Sequence, residues 1–517
     1  MRWWEWTLAV IGGLLVLVAI YDLTQRRHAI LRNFPIIGHM RYLLEGIGPE
    51  LRQYIVTSND ADKPFNRDQR RWVYTSAKRI NNYFGFGTDN DIEGSSNYLI
   101  IKQVAFPLSE VPAPGSTGAS LADSAALPCA KVLGGPRARP KAFRMRSAIN
   151  ISGMSYGSLS SVAVVALNKG AALAGTLQAT GEGGLTRHHL HGGELVWQIG
   201  TGYFGCRNPD GTFSLERFTD VVAATPQLRA IELKLSQGSK AGLGGVLPAA
   251  KITKEIAQIR GVPMGVDCIS PPSHSSFHDA DSMLDFVEQL AEVSGLPVGI
   301  KSAVGDLTIF HDLAHFMDRG DRGVDFVNID GGEGGTGAGP LAFVDHVSLP
   351  FKIGFSRVYR CFAEAGIAHD IVFVGAGKLG LPESALLGFA LGCDAVNVGR
   401  EAMLSIGCIQ AQRCHTGRCP TGVTTNSPWL KRGLDPALKS VRCANYLVQL
   451  RHELLHLSRA CGQVHPALVT LESIEVLDDR FGSRPARDVF AYEPAWGVPS
   501  APDRDALVSL MAEPGSG

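Results

Sequence analysis

Short apolar runs alternate with amphipathic stretches through the middle of the chain. From residue 146 onward, each run is five to seven residues long and ends at or beside a glycine or polar residue. Stretches with helical spacing of apolar residues lie between them, such as Ser282–Val293, Ile309–Met317 and Pro382–Leu391. The eight runs are Ala148–Met154, Thr176–Gly181, Ala230–Ser236, Gly265–Ser270, Pro297–Ala303, Phe326–Gly331, Ile371–Gly377 and Ala395–Gly399.

This alternation predicts parallel strands joined by helices, because strands covered on both faces have nearly continuous apolar sequences. Eight such units over about 255 residues predict an α/β fold of the (β/α)8 barrel class, with the barrel domain at 146–430. A doubly wound open sheet is the alternative. It would not need eight regular units, and its usual G-x-G-x-x-G turn does not follow the first run.

The N-terminus carries a different apolar signal. The sixteen residues Trp6–Tyr21 are uncharged, and Arg26, Arg27 and Arg32 follow them. A helix of this length spans about 24 Å, and tryptophans before it extend the span as interfacial anchors. Residues 1–25 are therefore predicted to form a single transmembrane anchor, with the rest of the chain on the cytoplasmic side. A signal peptide, for which Ala19–Asp22 is a poor cleavage site, and a buried helix are the alternatives.

The segments that flank the predicted barrel have weaker hydrophobic patterns. Residues 26–145 are turn-rich and are predicted to form a leading segment against the barrel, with a strand at Asn97–Val104 and a loop at Ala113–Gly118. Residues 431–517 are predicted to form a C-terminal helical extension. Its main helix, Leu438–Cys461, has an apolar side that is expected to face the barrel.

Glycine-rich sequences follow the last predicted strands. Gly331–Gly339 and Gly375–Gly377 follow strands six and seven, and Gly399 with Arg400 follows strand eight. In such barrels the active site lies at the carboxyl ends of the strands, and a phosphate site is common after strands seven and eight. A single glycine-rich turn is weak evidence, but successive ones with an arginine predict a phosphate cradle. Its candidate residues are Gly334, Gly335, Gly375, Gly377, Gly399 and Arg400.

Three cysteines lie just beyond the last predicted strand. Cys408, Cys414 and Cys419 have the spacing C-x5-C-x4-C, and Pro420 follows. Thiolates suit iron–sulfur clusters, zinc and Cu(I). Zinc usually takes four protein ligands and closer cysteine pairs, so zinc with His415, or three unrelated cysteines, are the alternatives. Three thiolates on one loop favour an iron–sulfur cluster, which implies electron transfer.

A phosphate-bearing redox cofactor beside such a cluster indicates FMN. Lys301 ends the fifth predicted strand, where a cation would suit the flavin N1 region that becomes negative on reduction. An ordinary ion-paired lysine is the alternative.

Composition narrows the functional classes. The chain has 517 residues, 45% of them hydrophobic, and a formal net charge of zero, which disfavours a nucleic-acid-binding protein. Its ten cysteines are spread along a long chain, which disfavours a disulfide framework.

The chain resembles the FMN-binding synthase domain of the glutamate synthases. The matching segments run in family order over roughly 150–425, more than half of the chain. They are Gly153–Ser160, Thr180–Gly184, Lys234–Lys240, Ser270–Pro272, Gly334–Ala338 and Gly407–Val423. In that family the fold is a TIM barrel and the cysteine loop holds a 3Fe–4S cluster. The resemblance therefore implies FMN and such a cluster as cofactors.

The resemblance also implies a reaction and residue roles. Ammonia and 2-oxoglutarate condense to an imine, and reduced FMN, which receives electrons through the cluster, delivers hydride to form glutamate. Glu182 matches an acidic residue near flavin and substrate, and it is the catalytic candidate together with Lys301. Residues matching the FMN-lining motif after strand one are Met154, Ser155 and Gly157. Residues matching the substrate loop are Lys234, Gln237 and Lys240, and two lysines there suit a dicarboxylate.

The substrate loop departs from the family pattern. Leu243 and Val246 replace a glutamate and a glutamine of that pattern, and unpaired polar groups of a substrate would cost about 1–3 kcal/mol each. A different oxo or imino acid, or an electron-transfer subunit without turnover, are therefore alternatives. The family's ammonia-releasing and dinucleotide-binding domains have no counterpart in the sequence. Ammonia is expected to be free or supplied by a partner, and electrons to come from ferredoxin, another protein or a membrane donor.

Overall fold

The computed structural model describes residues 2–25, 29–51, 61–109 and 120–512. The loop predicted at Ala113–Gly118, and Arg26 and Arg27 of the predicted anchor boundary, lie outside these ranges. The chain divides into two compact units, Met1–Asp68 and Gln69–Gly517, and each is described by itself.

The N-terminal unit is helical, with helices Trp3–Thr24, Ala29–Asn33 and Gly38–Leu51. The first helix has a mean hydropathy of 2.1 over its most apolar window, of which 6% is buried. Among the described residues, it is the one helix long and apolar enough to cross a membrane. Near its end, the buried Asp22 carboxylate accepts a hydrogen bond from Ile36 N at 2.9 Å and lies 3.0 Å from His39 Nε2. These contacts fix the turn that follows the helix.

The second unit contains a closed barrel of parallel strands, which confirms the predicted fold class. Each strand pairs with the next one along the chain, and the eighth pairs with the first through Val396 and Ile149. The barrel strands are Ile149–Ile151, Leu177–Ala179, Glu194–Ile199, Leu228–Lys234, Val298–Ser302, Phe326–Asp330, Val372–Ala376 and Ala395–Val398.

One predicted strand is wrong, although the count is right. The run Gly265–Ser270 contributes only Cys268–Ile269, which pairs antiparallel with Val246–Leu247 outside the barrel. Its apolar side chains are mostly not core residues, since Val266 is 59% and Ile269 is 69% exposed, whereas Cys268 is buried. The third barrel strand is instead Glu194–Ile199, which the apolar pattern missed because an exposed glutamate begins it and the buried, polar Gln198 interrupts it.

Helices surround the barrel. The chain passes from the second to the third strand through a short 3-10 turn, Arg187–His189, and uses α-helices at the other crossovers. Helices between the first strand and the cysteine loop are Ser161–Ala174, Leu215–Ala224, Lys254–Arg260, Ala280–Ser294, Thr308–Met317, Leu341–His346, Phe351–Glu364, Pro382–Ala390 and Arg400–Ser405.

The C-terminal extension completes this helical layer. Its helix Pro436–Ala460 packs against Ser161–Ala174 and Pro382–Ala390, which flank the seam between the last and first strands. The buried Arg451 donates to Ala174 O at 3.0 Å, and Tyr446 Oη donates to Gly380 O at 2.7 Å. The other helices of the extension are Pro428–Lys431, Ala486–Phe490 and Ala501–Ala512.

The part of the leading segment that belongs to the second unit is joined to the extension by a small sheet. Its strand Leu99–Ile101 pairs antiparallel with Ile474–Leu477, which also pairs with Ser483–Pro485. A helix, Arg67–Lys78, and a short hairpin, Val132–Leu133 with Phe143–Arg144, complete the segment. Segments far apart in sequence therefore share one structural layer around the barrel.

Candidate active site

A buried ion pair lies at the carboxyl end of the barrel. Lys234 ends the fourth strand, and its Nζ is 2.6 Å from Glu182 Oε1, on the loop after the second strand. The same Nζ donates to Gln237 Oε1 at 2.6 Å. Burial by itself raises the pKa of Glu182, but the charges of Lys234 and Lys240 and the hydrogen bond from Lys234 bring the pKa below its ordinary value. Glu182 is therefore an ionised acceptor at neutral pH.

Glycines allow this close approach to Glu182. A Cβ at Gly200 would come within 2.6 Å of Glu182 Oε2, and one at Gly245 within 2.6 Å of Oε1. The carboxylate is thus enclosed by two backbone segments, and larger residues at either position would displace it.

Lys240 adds a second cation beside the pair. Its Nζ donates to Ala338 O at 3.2 Å, so it links the substrate loop to the glycine-rich loop after the sixth strand. Burial lowers the pKa of Lys240 to about 8. The negative charge of Glu182 opposes this decrease, and the positive charge of Lys234 adds to it. The sequence predicted Glu182 as a catalytic residue and Lys234, Gln237 and Lys240 as substrate-loop residues, and the fold brings these four side chains together.

Lys301 is also paired with a carboxylate. Its Nζ lies 3.4 Å from Asp330 Oδ2, at the end of the sixth strand, and both side chains are buried. Burial lowers the pKa of Lys301, but the charges of Asp330 and Glu232 outweigh it and the pKa is raised. Asp330 Oδ2 also accepts from Gly238 N at 3.1 Å. The sequence did not single out Asp330, although a charged residue ending an apolar strand was the available signal.

Beneath these lysines is a buried polar layer inside the barrel. Glu232 accepts hydrogen bonds from the side chains of Gln198 and Asn328, the latter at 2.6 Å. These three residues come from the third, fourth and sixth strands, so the layer ties the strands together directly below the mouth.

Five of the six predicted phosphate-cradle residues follow the sixth, seventh and eighth strands, but Gly375 lies inside the seventh strand, where a Cβ would meet core side chains. A Cβ at Gly377 would come 3.0 Å from Gly331 N, and one at Gly335 would come 2.7 Å from Arg400 Cδ. Arg400 donates from Nη2 to Glu333 O. Gly377 also has φ +116°, a conformation that favours glycine. Backbone and guanidinium N–H groups at such turns suit the phosphate of FMN.

The loop after the first strand adjoins this region. A Cβ at Gly181 would overlap Ser155 N, so the loops after the first and second strands approach backbone to backbone. Gly157 has φ +105° and faces Arg260, whose Nη2 donates to Tyr156 O at 3.1 Å. Met154, Ser155 and Gly157 therefore lie on a loop that neighbouring segments hold in place.

The cysteine loop follows the helix Arg400–Ser405. Burial raises the pKa of Cys408 to about 12, and the charges of Cys414 and Cys419 add to this. Gln410 N donates to Cys408 Sγ at 3.5 Å, and Tyr74 Oη donates to Cys408 O at 2.8 Å. Soft sulfur ligands and an N–H group directed at sulfur are donors that an iron–sulfur cluster would use. Among the described residues, however, three or more His, Cys, Asp or Glu side chains are nowhere grouped as a metal site.

Comparison with known proteins decides the family. A family model described as a conserved region in glutamate synthase matches residues 131–464. The chain belongs to the glutamate synthase family.

Two relatives and one solved structure differ in how much of their length they share with the chain. A glutamate synthase large subunit-like protein, YerD, of Bacillus subtilis is 37% identical over 483 residues, which cover 88% of this chain and 91% of that protein. An archaeal glutamate synthase (NADPH) of Methanocaldococcus jannaschii is 33% identical over 323 residues, which cover 62% of this chain and 60% of that protein. A solved flavocytochrome b2 variant with sulfite bound is 11% identical, with 89% of this chain and 90% of that chain covered and a TM-score of 0.42.

Two side chains that hold the backbone of Lys234 in place, His274 and Tyr203, were not among the predicted site residues. His274 Nε2 donates to Lys234 O at 3.0 Å, and Tyr203 Oη lies 3.1 Å from His274 Nδ1. The tyrosine oxygen also accepts from Ser275 N and Ser276 N, each at 3.1 Å. Since a carbonyl only accepts, His274 carries its proton on Nε2 and accepts the tyrosine proton on Nδ1. Burial lowers the pKa of His274 to about 4, so it is neutral at physiological pH.

The two departures from the glutamate synthase pattern lie on the same loop. Leu243 N donates to Lys240 O at 3.2 Å, and Val246 pairs with Ile269 in the hairpin outside the barrel. Both side chains are half-buried. They thus border the Lys234–Lys240 segment without interrupting its contacts.

Proposed function

We propose that the chain is an FMN- and iron–sulfur-dependent oxidoreductase of the glutamate synthase type that reductively aminates 2-oxoglutarate with ammonia. The observation that carries this proposal is the Lys234–Glu182 pair beside Lys240, adjoining the glycine-rich loops. The oxo acid and ammonia form an imine with loss of water, and an electron pair with its protons reduces that imine to the amino acid.

The residues at the mouth suit these tasks. Lys234 and Lys240 supply positive charge for the carboxylates of the oxo acid. Ionised Glu182 accepts hydrogen bonds from the nitrogen derived from ammonia. Bound FMN would supply the hydride to the imine carbon. Lys301, kept charged by Asp330, supplies the cation for the side of the flavin that becomes negative.

The cofactors would be held by separate loops. The phosphate of FMN would lie on the cradle of Gly334, Gly335, Gly377, Gly399 and Arg400, beside Met154, Ser155 and Gly157. Cys408, Cys414 and Cys419 would hold a 3Fe–4S cluster. A separate donor such as ferredoxin, another protein or a membrane carrier would deliver the electrons.

The apolar helix Trp3–Thr24 supports a membrane location for this enzyme. Its length and exposed apolar surface suit a single membrane span. Arginine residues after the span favour a cytoplasmic catalytic domain, where thiols stay reduced.

A related oxo or imino acid is the second candidate substrate. Leu243 and Val246 favour it, since they are apolar where the family pattern has polar residues. In the remaining alternative, the chain binds its cofactors as an electron-transfer subunit without turnover.

The test uses the purified full-length chain in detergent. Its absorption spectrum should contain flavin bands, and their absence would overturn every one of these functions. The dithionite-reduced protein is then mixed anaerobically with ammonium and 2-oxoglutarate, and flavin reoxidation and glutamate are measured. Glutamate formation supports the proposal; reoxidation by other oxo acids alone supports the second candidate. Omission of ammonium is the control. If the flavin can be reduced but no oxo acid reoxidises it, the result supports the electron-transfer subunit.

A further inference from the structure

Lys251 joins two loops that come from opposite ends of the barrel sequence. It is 2% exposed and lies on the 3-10 turn Ala249–Lys251, in the segment after the fourth strand. Its Nζ donates to Ser158 O at 2.7 Å and to Cys414 O at 3.2 Å. Ser158 follows the first strand, beside the FMN-lining residues, and Cys414 belongs to the cysteine loop.

A second side chain reinforces this junction. Asn426 Nδ2 donates to Lys251 O at 2.7 Å and to Gly157 O at 3.3 Å. A Cβ at Gly417 would be 3.5 Å from Lys251 Cγ, so the cysteine loop also contacts the lysine stem. The lysine is therefore held at its backbone by Asn426 and at its ammonium by two carbonyls.

The charge of Lys251 needs a partner that carbonyls do not supply. A buried cation is costly unless a negative charge lies nearby. In the part of the chain that the structure describes, Lys251 Nζ forms no ion pair with a carboxylate, and its two acceptors are the carbonyls of Ser158 and Cys414. The compensating anion for this lysine is thus the cysteine loop, and an iron–sulfur centre held by three thiolates carries net negative charge.

We infer that Lys251 is a positioning residue that couples the cluster to the flavin. Its hydrogen bonds fix the cysteine loop against the strand-one loop, and its positive charge raises the reduction potential of the cluster. This inference rests on the proposed function, which supplies the two cofactors. The sign follows from charge, because a nearby cation favours the more negative, reduced cluster.

The experiment compares three variants of the full-length protein. Lys251→Met removes the charge and both hydrogen bonds, and Lys251→Arg keeps the charge. Lys254→Met is the matched control, since Lys254 is exposed and lies three residues further on. Iron and flavin contents are measured first. The cluster potential is then titrated by electron paramagnetic resonance, and electron transfer from reduced cluster to flavin is followed by stopped flow.

Lys251→Met should lower the cluster potential and slow transfer by ~10-fold or more, as loss of an outer-shell partner does at other metal sites. Lys251→Arg should keep the potential, and Lys254→Met should match the wild type in both. Wild-type potential and transfer rate in Lys251→Met would overturn the inference. If Lys251→Met does not fold, Lys251→Gln is measured instead, and a wild-type cluster potential in Lys251→Gln would also overturn the inference. Absence of iron from the wild-type protein would instead refute the proposed cluster.

Discussion

Lys234 and Lys301 are register partners on adjacent barrel strands, and each has its own buried carboxylate. Lys234 pairs with Glu182 at 2.6 Å and Lys301 with Asp330 at 3.4 Å. Two buried cations side by side would repel strongly, and two carboxylates remove that cost. The mouth is therefore a charge-balanced set of four side chains, and removing one member leaves a buried charge without its partner.

Replacing Glu182 tests this balance. We expect Glu182→Gln to lower the rate of glutamate formation by ~100-fold or more, the usual scale for loss of an acid–base group, while flavin content stays unchanged. Turnover and bound flavin are measured on the same preparation. Glu292→Gln, on the exposed side of the helix Ala280–Ser294, is the control. Wild-type turnover in Glu182→Gln would show that the carboxylate has no part in the reaction.

Lys240 should make oxo-acid binding depend on pH. A lysine is charged below its pKa, and the pKa of Lys240 is about 8. The dissociation constant for 2-oxoglutarate should therefore be flat below pH 8 and rise by up to about tenfold per unit above it. Equilibrium binding to the oxidised protein is the measurement, because it avoids the titration of ammonium. Lys240→Arg, which stays charged, should remove the rise; persistence of the rise in that variant would assign it to another group.

Gly238 should not tolerate a side chain. A Cβ there would overlap Gly331 O, where the substrate loop meets the glycine-rich loop. We expect Gly238→Ala to destabilise the protein by about 1–3 kcal/mol, as overpacking does, and to reduce flavin content. Thermal unfolding and the flavin-to-protein ratio check this. Gly305→Ala is the matched control, since its Cβ would meet nothing within 4 Å.

Membrane association of the N-terminal helix should depend on its apolar surface. Leu14→Arg places a charge in the middle of the proposed span, at a cost of about 2.5–3.5 kcal/mol. We expect less protein in carbonate-washed membranes and more in the supernatant. Leu510→Arg introduces the same charge on the exposed face of the helix Ala501–Ala512 and should change nothing. Equal solubility of the wild type and Leu14→Arg without detergent would refute the anchor.

The sequence predicted the barrel because buried parallel strands leave a local signature. Seven of the eight barrel strands overlap an apolar run, and the loops carrying the candidate residues follow those strands. The one remaining run failed for a local reason as well. Gly265–Ser270 has the composition of a strand, whereas Glu194–Ile199, the strand that closes the gap, begins with an exposed glutamate and buries Gln198 against Glu232.

The sequence by itself determined the fold class, the spacing of the three cysteines and three of the four mouth residues, Glu182, Lys234 and Lys301, since strand periodicity and motif spacing are local properties. Only the tertiary structure decided which charges neutralise each other. Asp330 meets Lys301, His274 supports Lys234, and Lys251 bridges Ser158 to Cys414. All of these partners are dozens of residues apart in the sequence, and Lys251 and Cys414 are more than a hundred apart. Barrel closure brings them together, and burial then makes their charges depend on one another.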